Sequence, residues 1–297
     1  MIKLIDLLKE CVIAAVHIDG DTVLAKNRDR GYTAKIRIVH ELMDGVEVVY
    51  WLDEDTDWCE GMNEHGIGIV NSSLLVDKDE KESDKIEKKQ KGDHDATEKK
   101  ITSTDGLKIR HALKQNSIRD AIESVVSYVG KDKKDVGVKG HVMVATPKVS
   151  YNVESTSKNT PIITKLDREE KAHTRSNHGV SHEDAGYTQG VKRRSSLSRR
   201  DLAARNLDEV EDWNEVLDAM AKQTESDPFM NPFRHDNIYK MRTIGQIMMN
   251  LNKLKFVYRG TSAHSEFKGY DNRLPDDYEP KIEVIILDSV KPRDSDD

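Results

Sequence analysis

Between residues 12 and 70 the chain alternates short β-prone apolar runs with aspartate-glycine turns, and this pattern restricts the fold more than any other feature. Residues 12–18 and 22–26 read as the arms of a hairpin closed by Asp19-Gly20-Asp21. Residues 36–40 and 46–52 read as a second hairpin, in which Asp44-Gly45 supplies the positive φ angles of a type I′ turn. Gly66-Ile67-Gly68-Ile69-Val70 is another short apolar strand. Further strands are expected at 141–145, 150–154, 162–165, 243–249, 255–258 and 281–287. Between them, 107–113, 118–129, 197–206 and 210–222 carry apolar residues at helical spacing, and Asn116-Ser117 offers a cap for the second of these. Strand pairs at each end of the chain with helices between them argue for an α+β layered sandwich.

A chain of 297 residues can bury a substantial core. Charged residues make up 34 %, and from Asp77 to Lys100 a Lys/Glu/Asp run almost empty of apolar residues reads as a solvated insertion. The net charge of −7 disfavours unspecific attraction to nucleic acid or to an anionic membrane. No stretch approaches the roughly 20 apolar residues of a membrane-spanning helix. Cys11 and Cys59 give neither a disulfide framework nor a metal-ligand spacing, so free thiols in a reducing, cytoplasmic setting are expected. No cofactor and no metal are expected; His173, His178 and His182 lack the pairing with a carboxylate that a zinc helix requires.

Chemistry concentrates around Cys11, which stands immediately before the run Val12-Ile13-Ala14-Ala15-Val16. A thiol there would carry its own base, the free α-amine, if the ten residues before it were removed. Four other stretches stand out. Lys26-Asn27-Arg28-Asp29-Arg30 ends the second strand and is either a surface turn or a source of a carboxylate, Asp29, that accepts from the Cys11 thiol or amine. The glycines of Gly61-Met62-Asn63-Glu64-His65-Gly66 pinch a turn into a strand ending at Asn71. The Asn71 amide is either an ordinary strand-end group or a donor to a developing oxyanion. Thr174-Arg175-Ser176-Asn177-His178 precedes Ala185-Gly186-Tyr187, and Ser195-Ser196-Leu197-Ser198-Arg199 reads as a serine-capped helix start.

In this order the five stretches resemble the cysteine branch of the N-terminal nucleophile hydrolases. This branch contains the choloylglycine hydrolases, the penicillin V acylases and the acyl-CoA:6-aminopenicillanic acid acyltransferases. Members begin the mature chain with Cys, follow it with Arg-Asn-x-Asp, then Gly-Met-Asn-Glu-x-Gly before a strand ending in Asn. A second Asn in a Thr-Asn-His-like motif and a Ser-Ser-x-x-Arg helix complete the set. The Asn-His and Gly-Tyr context leans toward the acyltransferase-like members. The chain departs from the pattern at Lys26, where the family has Arg, and at Ser176, where it has Thr.

The resemblance implies a four-layer αββα sandwich of two antiparallel sheets, with residues 1–10 removed by self-processing and 11–297 forming one domain. It makes Cys11 the nucleophile, Asp29 the group orienting its amine, Asn71 the oxyanion donor, and Asn177 and Arg199 the bracing groups. Lys26, Arg28 and Met62 would face a small N-acyl amide substrate. A homo-oligomer is consistent with the same family. Two alternatives stand beside the amidohydrolase: an acyltransferase on the same scaffold, and an uncleaved binding or structural protein.

Overall fold

The computed structural model describes residues 9–30, 34–74, 104–127, 137–156, 159–234, 242–260 and 282–287. Residues 1–8 of the expected 1–10 leader, the charged insertion at 77–100 and the tail 289–297 lie outside the described residues.

Thirteen described strands form two sheets. In chain order they are β1 (Lys9–Ile18), β2 (Asp21–Arg30), β3 (Ile36–Met43), β4 (Val46–Asp53), β5 (Trp58–Asn63) and β6 (Gly68–Ser72). After the helices α1 (Thr104–Leu113) and α2 (Ile118–Ser127) come β7 (Gly140–Ala145), β8 (Ser150–Ser155), β9 (Ile162–Lys165) and β10 (Ala172–Arg175). Helices α3 (Gly190–Asp208) and α4 (Val216–Ala221) precede β11 (Arg242–Asn250), β12 (Lys255–Gly260) and β13 (Ile282–Ile286). One sheet has the order β10-β1-β2-β11-β12-β13 and the other runs β3 to β9 in sequence order. Every pairing is antiparallel.

The alternation of β1 sets the layering. Ile13 and Ala15 pack between the sheets with Leu24, Trp51, Met62 and Val70. Val12, Ala14 and Val16 face the opposite way, onto Ala203 and Leu207 of α3 and Leu217 and Met220 of α4. Because both faces are covered, β1 reads as a continuous apolar run rather than an alternating one. Helices α1 and α2 cover the outer face of the second sheet through Ile109, Leu113, Ala121 and Val125. The result is helix, sheet, sheet, helix, the αββα sandwich expected.

Local signals account for the turns. Asp19 (φ 51°) and Gly20 (φ 80°) close β1 onto β2, and Asp44 (φ 55°) and Gly45 (φ 87°) close β3 onto β4. Gly66 adopts φ 73° in the turn before β6. Gly61 is required by proximity instead: a Cβ there would lie 2.2 Å from the Val49 carbonyl oxygen. Ser117 caps α2, its Oγ accepting from the Asp120 N–H at 3.2 Å.

Three expectations need correction. Strands β5 and β10 are present where no strand was expected. The 210–222 helix resolves into a 3₁₀ turn at Trp213–Glu215 leading into the short α4. Ser195 and Ser196 do not cap α3, which starts five residues earlier with Gln189 at its N-cap; both serines lie buried inside the helix. Their hydroxyls are used for tertiary bonds, so the local preference of serine for a cap is overridden.

Candidate active site

Cys11 lies 2 % exposed in β1, opposite Arg28 of β2. Strand alternation turns its side chain toward the second sheet, on the same face as Lys26, Arg28 and Arg30. The Arg30 Nη1 donates to Cys11 Sγ at 3.7 Å. The backbone of Cys11 is clamped from the other chain segments. Its N–H donates to Asn177 Oδ1 at 3.0 Å, and its carbonyl accepts from Ser176 Oγ at 3.1 Å and Arg199 Nη1 at 3.3 Å. Asn177 and Arg199, expected as bracing groups, are thus joined to Cys11.

Asn177 is held as firmly as it holds. Its Nδ2 donates to the Ser73 carbonyl at 2.9 Å and Ser72 Oγ at 3.2 Å, tying β1 to the end of β6. Its backbone N–H donates to Ser196 Oγ at 2.8 Å, which explains the buried serine of α3. The same hydroxyl meets His178 Nδ1 at 2.8 Å, and Arg200 Nη1 lies 3.0 Å from His178 Nε2. Burial, then Arg200, hold the His178 pKa at about 3, so this imidazole is neutral. His178 is a strut for the loop, and the described residues contain no His/Cys/Asp/Glu group suited to a metal ion.

On the thiol's face, Glu60 gathers four donors. Lys26 Nζ and Trp51 Nε1 bond it, Arg28 Nη2 reaches its two oxygens at 3.1 and 2.9 Å, and Trp58 Nε1 reaches it at 2.8 Å. Burial would raise this carboxyl, but Arg28 and Lys26 outweigh it and bring the pKa to about 2. Burial in turn pushes Lys26 down, with the charges of Cys11 and Glu60 opposing. Lys26 and Arg28 were expected to meet substrate; both are engaged by Glu60. Met62 is fully buried in the inter-sheet core opposite Gly68 and takes no part in this constellation.

The Asn71 amide is oriented by the same network. Its Oδ1 accepts from Trp58 Nε1 at 2.8 Å and Lys26 Nζ at 3.4 Å, both of which can only donate. The Nδ2 end therefore faces away from them, and it is buried with no hydrogen-bond partner. A buried N–H₂ left unpaired costs about 1–3 kcal/mol. It is the arrangement expected of a donor reserved for an oxygen brought by a reaction.

Asp29 faces away from the thiol. It lies opposite Glu10 in the β1–β2 register, hence on the helix-covered face of the sheet and not on the face of the Cys11 thiol. Its Oδ1 accepts from Thr243 Oγ1 at 2.7 Å, and Oδ2 lies 3.6 Å from Arg199 Nη1 and 3.3 Å from Arg234 Nη1. Glu10 shares these arginines: its Oε2 is 3.0 Å from Arg199 Nη2 and 2.8 Å from Arg234 Nη2, while Tyr187 donates to Oε1 at 2.9 Å. Burial raises both carboxyls; for Glu10 the two arginines win and its pKa falls, whereas for Asp29 burial wins and its pKa rises.

Glu10, Trp58, Glu60, Tyr187 and Arg234 were not singled out as site residues from the sequence, and Arg30 was named only as a stand-in for the family arginine that Lys26 replaces. The alternation of β2 places Lys26, Arg28 and Arg30 on one face. Cys59 is set apart from all of this. Its Sγ donates to the Gly106 carbonyl at 3.3 Å, and burial pushes its pKa up to about 12.

No protein-family model matches the chain, and no curated protein matches it by sequence. Solved structures do. A variant of conjugated bile acid hydrolase from Clostridium perfringens superposes with a TM-score of 0.53, over 94 % of this chain and 97 % of the hydrolase, at 12 % identity. The fold is that of the N-terminal nucleophile hydrolases. A second variant of the Clostridium enzyme gives a TM-score of 0.50 over 94 % and 98 % of the two chains, at 13 % identity. At such identity the likeness to an N-terminal nucleophile hydrolase concerns the fold, and the chemistry rests on the residues gathered at Cys11.

Proposed function

We propose that this protein is a self-processing cysteine amidohydrolase that cleaves an N-acyl amide through a thioester on Cys11. The observation that carries the reading is the bond from the Cys11 N–H to Asn177 Oδ1. The nitrogen held there is the one that becomes the catalytic base. Processing starts when Cys11 Sγ attacks the Glu10 carbonyl carbon. The S–C bond forms, the peptide C–N bond breaks, and the nitrogen keeps its own hydrogen and takes up the thiol proton to become the α-amine. Water then hydrolyses the thioester and releases the Glu10 carboxylate.

In turnover the amine, whose ordinary pKa is about 7.7–8, takes the thiol proton as sulfur attacks the substrate carbonyl. Arg30, at 3.7 Å, offers positive charge to the thiolate. Asn71 Nδ2 serves as oxyanion donor, a role worth roughly 10²–10³ in kcat. The leaving amine is protonated, and water cleaves the thioester; an amine acceptor in place of water would make the same intermediate a transferase. Asp29 acts behind the strand, holding Arg199 and Arg234 near the amine rather than touching the thiol.

A second reading, an uncleaved binding or structural protein, is favoured by one observation. Glu10 is part of β1, paired with Asp29 and with its carboxylate satisfied by Arg199, Arg234 and Tyr187. Labelling with a thiol-directed electrophile separates the two. The amidohydrolase predicts rapid modification of Cys11, loss of N-acyl amide turnover in step with it, and no modification of Cys59. Equal, slow labelling of both thiols with no turnover supports the second reading.

A further inference from the structure

The helix-covered face behind Cys11 holds four buried charges that balance only while Glu10 is attached. Arg199 and Arg234 supply two positive charges, Glu10 and Asp29 two negative ones, and all four side chains are at most 2 % exposed. If the chain is cleaved after Glu10, one negative charge departs. Asp29 alone then faces two guanidiniums, and an uncompensated buried charge is among the costliest arrangements in a protein interior.

The donors that grip Glu10 are fixed by contacts that cleavage leaves in place. Arg234 Nη2 also donates to Ser195 Oγ at 3.0 Å and the Phe229 carbonyl at 3.3 Å, and its guanidinium lies 4.3 Å over the Phe229 ring. Arg199 stays tied to the Cys11 carbonyl and to Asn177 Oδ1 at 3.1 Å. The backbone N–H of Tyr187 is anchored on the Asn177 carbonyl at 2.8 Å. Arg234 Nε and Arg199 Nε are buried without a hydrogen-bond partner even with Glu10 present, and Arg234 Nη1 meets only the Asp29 carboxylate, at 3.3 Å. The cluster is therefore pre-shaped and rich in unspent donors, with a geometry already fitted to a carboxylate.

We propose that loss of residues 1–10 leaves a binding site for a small carboxylate, built from Arg199, Arg234 and Tyr187 beside the new amine of Cys11. As a site of the working enzyme it rests on the processing reading above, but its chemistry can be tested without processing. The ligand is either a carboxylate carried by the substrate or a free one; both are read by the same three donors.

The first arm uses the full chain with Cys11→Ala and Glu10→Ala, which cannot cleave itself and lacks the CH₂–COO⁻ of Glu10; acetate is the probe and chloride at equal ionic strength the control. Acetate is expected to raise Tm by about 3 °C or more at concentrations well above its Kd. Cys11→Ala alone shows no such rise, and adding Arg234→Met abolishes it. If the double variant does not fold unaided, recovery of folded protein across an acetate series becomes the readout. Absence of any acetate-specific response or recovery overturns the site, whether or not the wild-type chain is processed. In the second arm, acetate is titrated into self-processed protein turning over an N-acyl amide. A rise in KM at constant kcat assigns the site to the substrate's own carboxylate, and a change in kcat at constant KM assigns it to a free one. No effect on either overturns its use by the mature enzyme.

Discussion

Asn177 holds Cys11 by the backbone nitrogen, its Oδ1 accepting the N–H at 3.0 Å while its Nδ2 is anchored at the end of β6. The bond joins the strand that carries Cys11 to the sheet that carries Asn71. Replacing Asn177 by Ala frees the Cys11 nitrogen and removes the bonds that Asn177 makes to Arg199 Nη2 and to the Ser73 carbonyl. Loss of such buried bonds costs about 1–3 kcal/mol each way of counting. Asn177→Ala is expected to remain largely precursor by intact mass under conditions in which the wild type is fully cleaved. Complete cleavage of the variant at the wild-type rate contradicts this.

Asn71→Asp tests the proposed oxyanion role. Aspartate keeps an acceptor for Trp58 Nε1 and Lys26 Nζ but replaces the unpartnered Nδ2 with an oxygen. The expected outcome is a fall in kcat of roughly 10²–10³ with KM little changed, because the donor acts on charge that develops in the transition state. Steady-state kinetics on any N-acyl amide the wild type turns over checks it.

Glu60→Gln probes stability. Glutamine retains the shape but leaves Lys26 buried without its counter-charge and Arg28 with only Asp53, at 3.7 Å. Breaking a buried pair from one side typically costs about 3–5 kcal/mol. A markedly lower denaturant midpoint at unchanged slope is the expected result.

Acid should weaken the fold before it disturbs Glu60. His178, at about 3, and His17, at about 4, are held neutral in the native state, in both cases first by burial and then by a nearby arginine, Arg200 or Arg168. An unfolded histidine titrates near 6.5. The unfolded chain therefore binds protons first as pH falls, so stability is whole above about pH 6.5 and declines toward pH 3–4. Glu60, depressed to about 2, has the same sign, losing its contribution as pH falls from about 4.5 toward 2. Urea midpoints taken at about pH 7, 5.5 and 4 should fall in that order; a flat series contradicts the assignment.

The elements that position Cys11 were legible because their signals are local. The run after Cys11 and the Asp44-Gly45 turn need no distant partner to be read. Strand β5 was not legible, since Trp58, Glu60 and Gly61 look like turn and surface residues until Glu60 is seen neutralising Lys26 and Arg28 from β2. Ser195 and Ser196 carry a helix-cap signal that tertiary bonding to Phe229 and Asn177 overrides. The motif marks Asp29 but not the face it takes; its one-residue offset from Arg28 and Arg30 turns it away from the thiol, toward Arg199 and Arg234. Arg234 reaches Glu10 across a separation of 224 residues, and no spacing rule reports such a contact.

The central claim is that Cys11 becomes the first residue of the working protein. Intact mass and N-terminal sequencing of the purified, active chain test it most directly, with Cys11→Ala alongside. A species beginning at Cys11 in the wild type, and an uncut Glu10–Cys11 bond in the variant, is the predicted result. Full turnover of an N-acyl amide by protein that retains the Glu10–Cys11 bond would contradict the account.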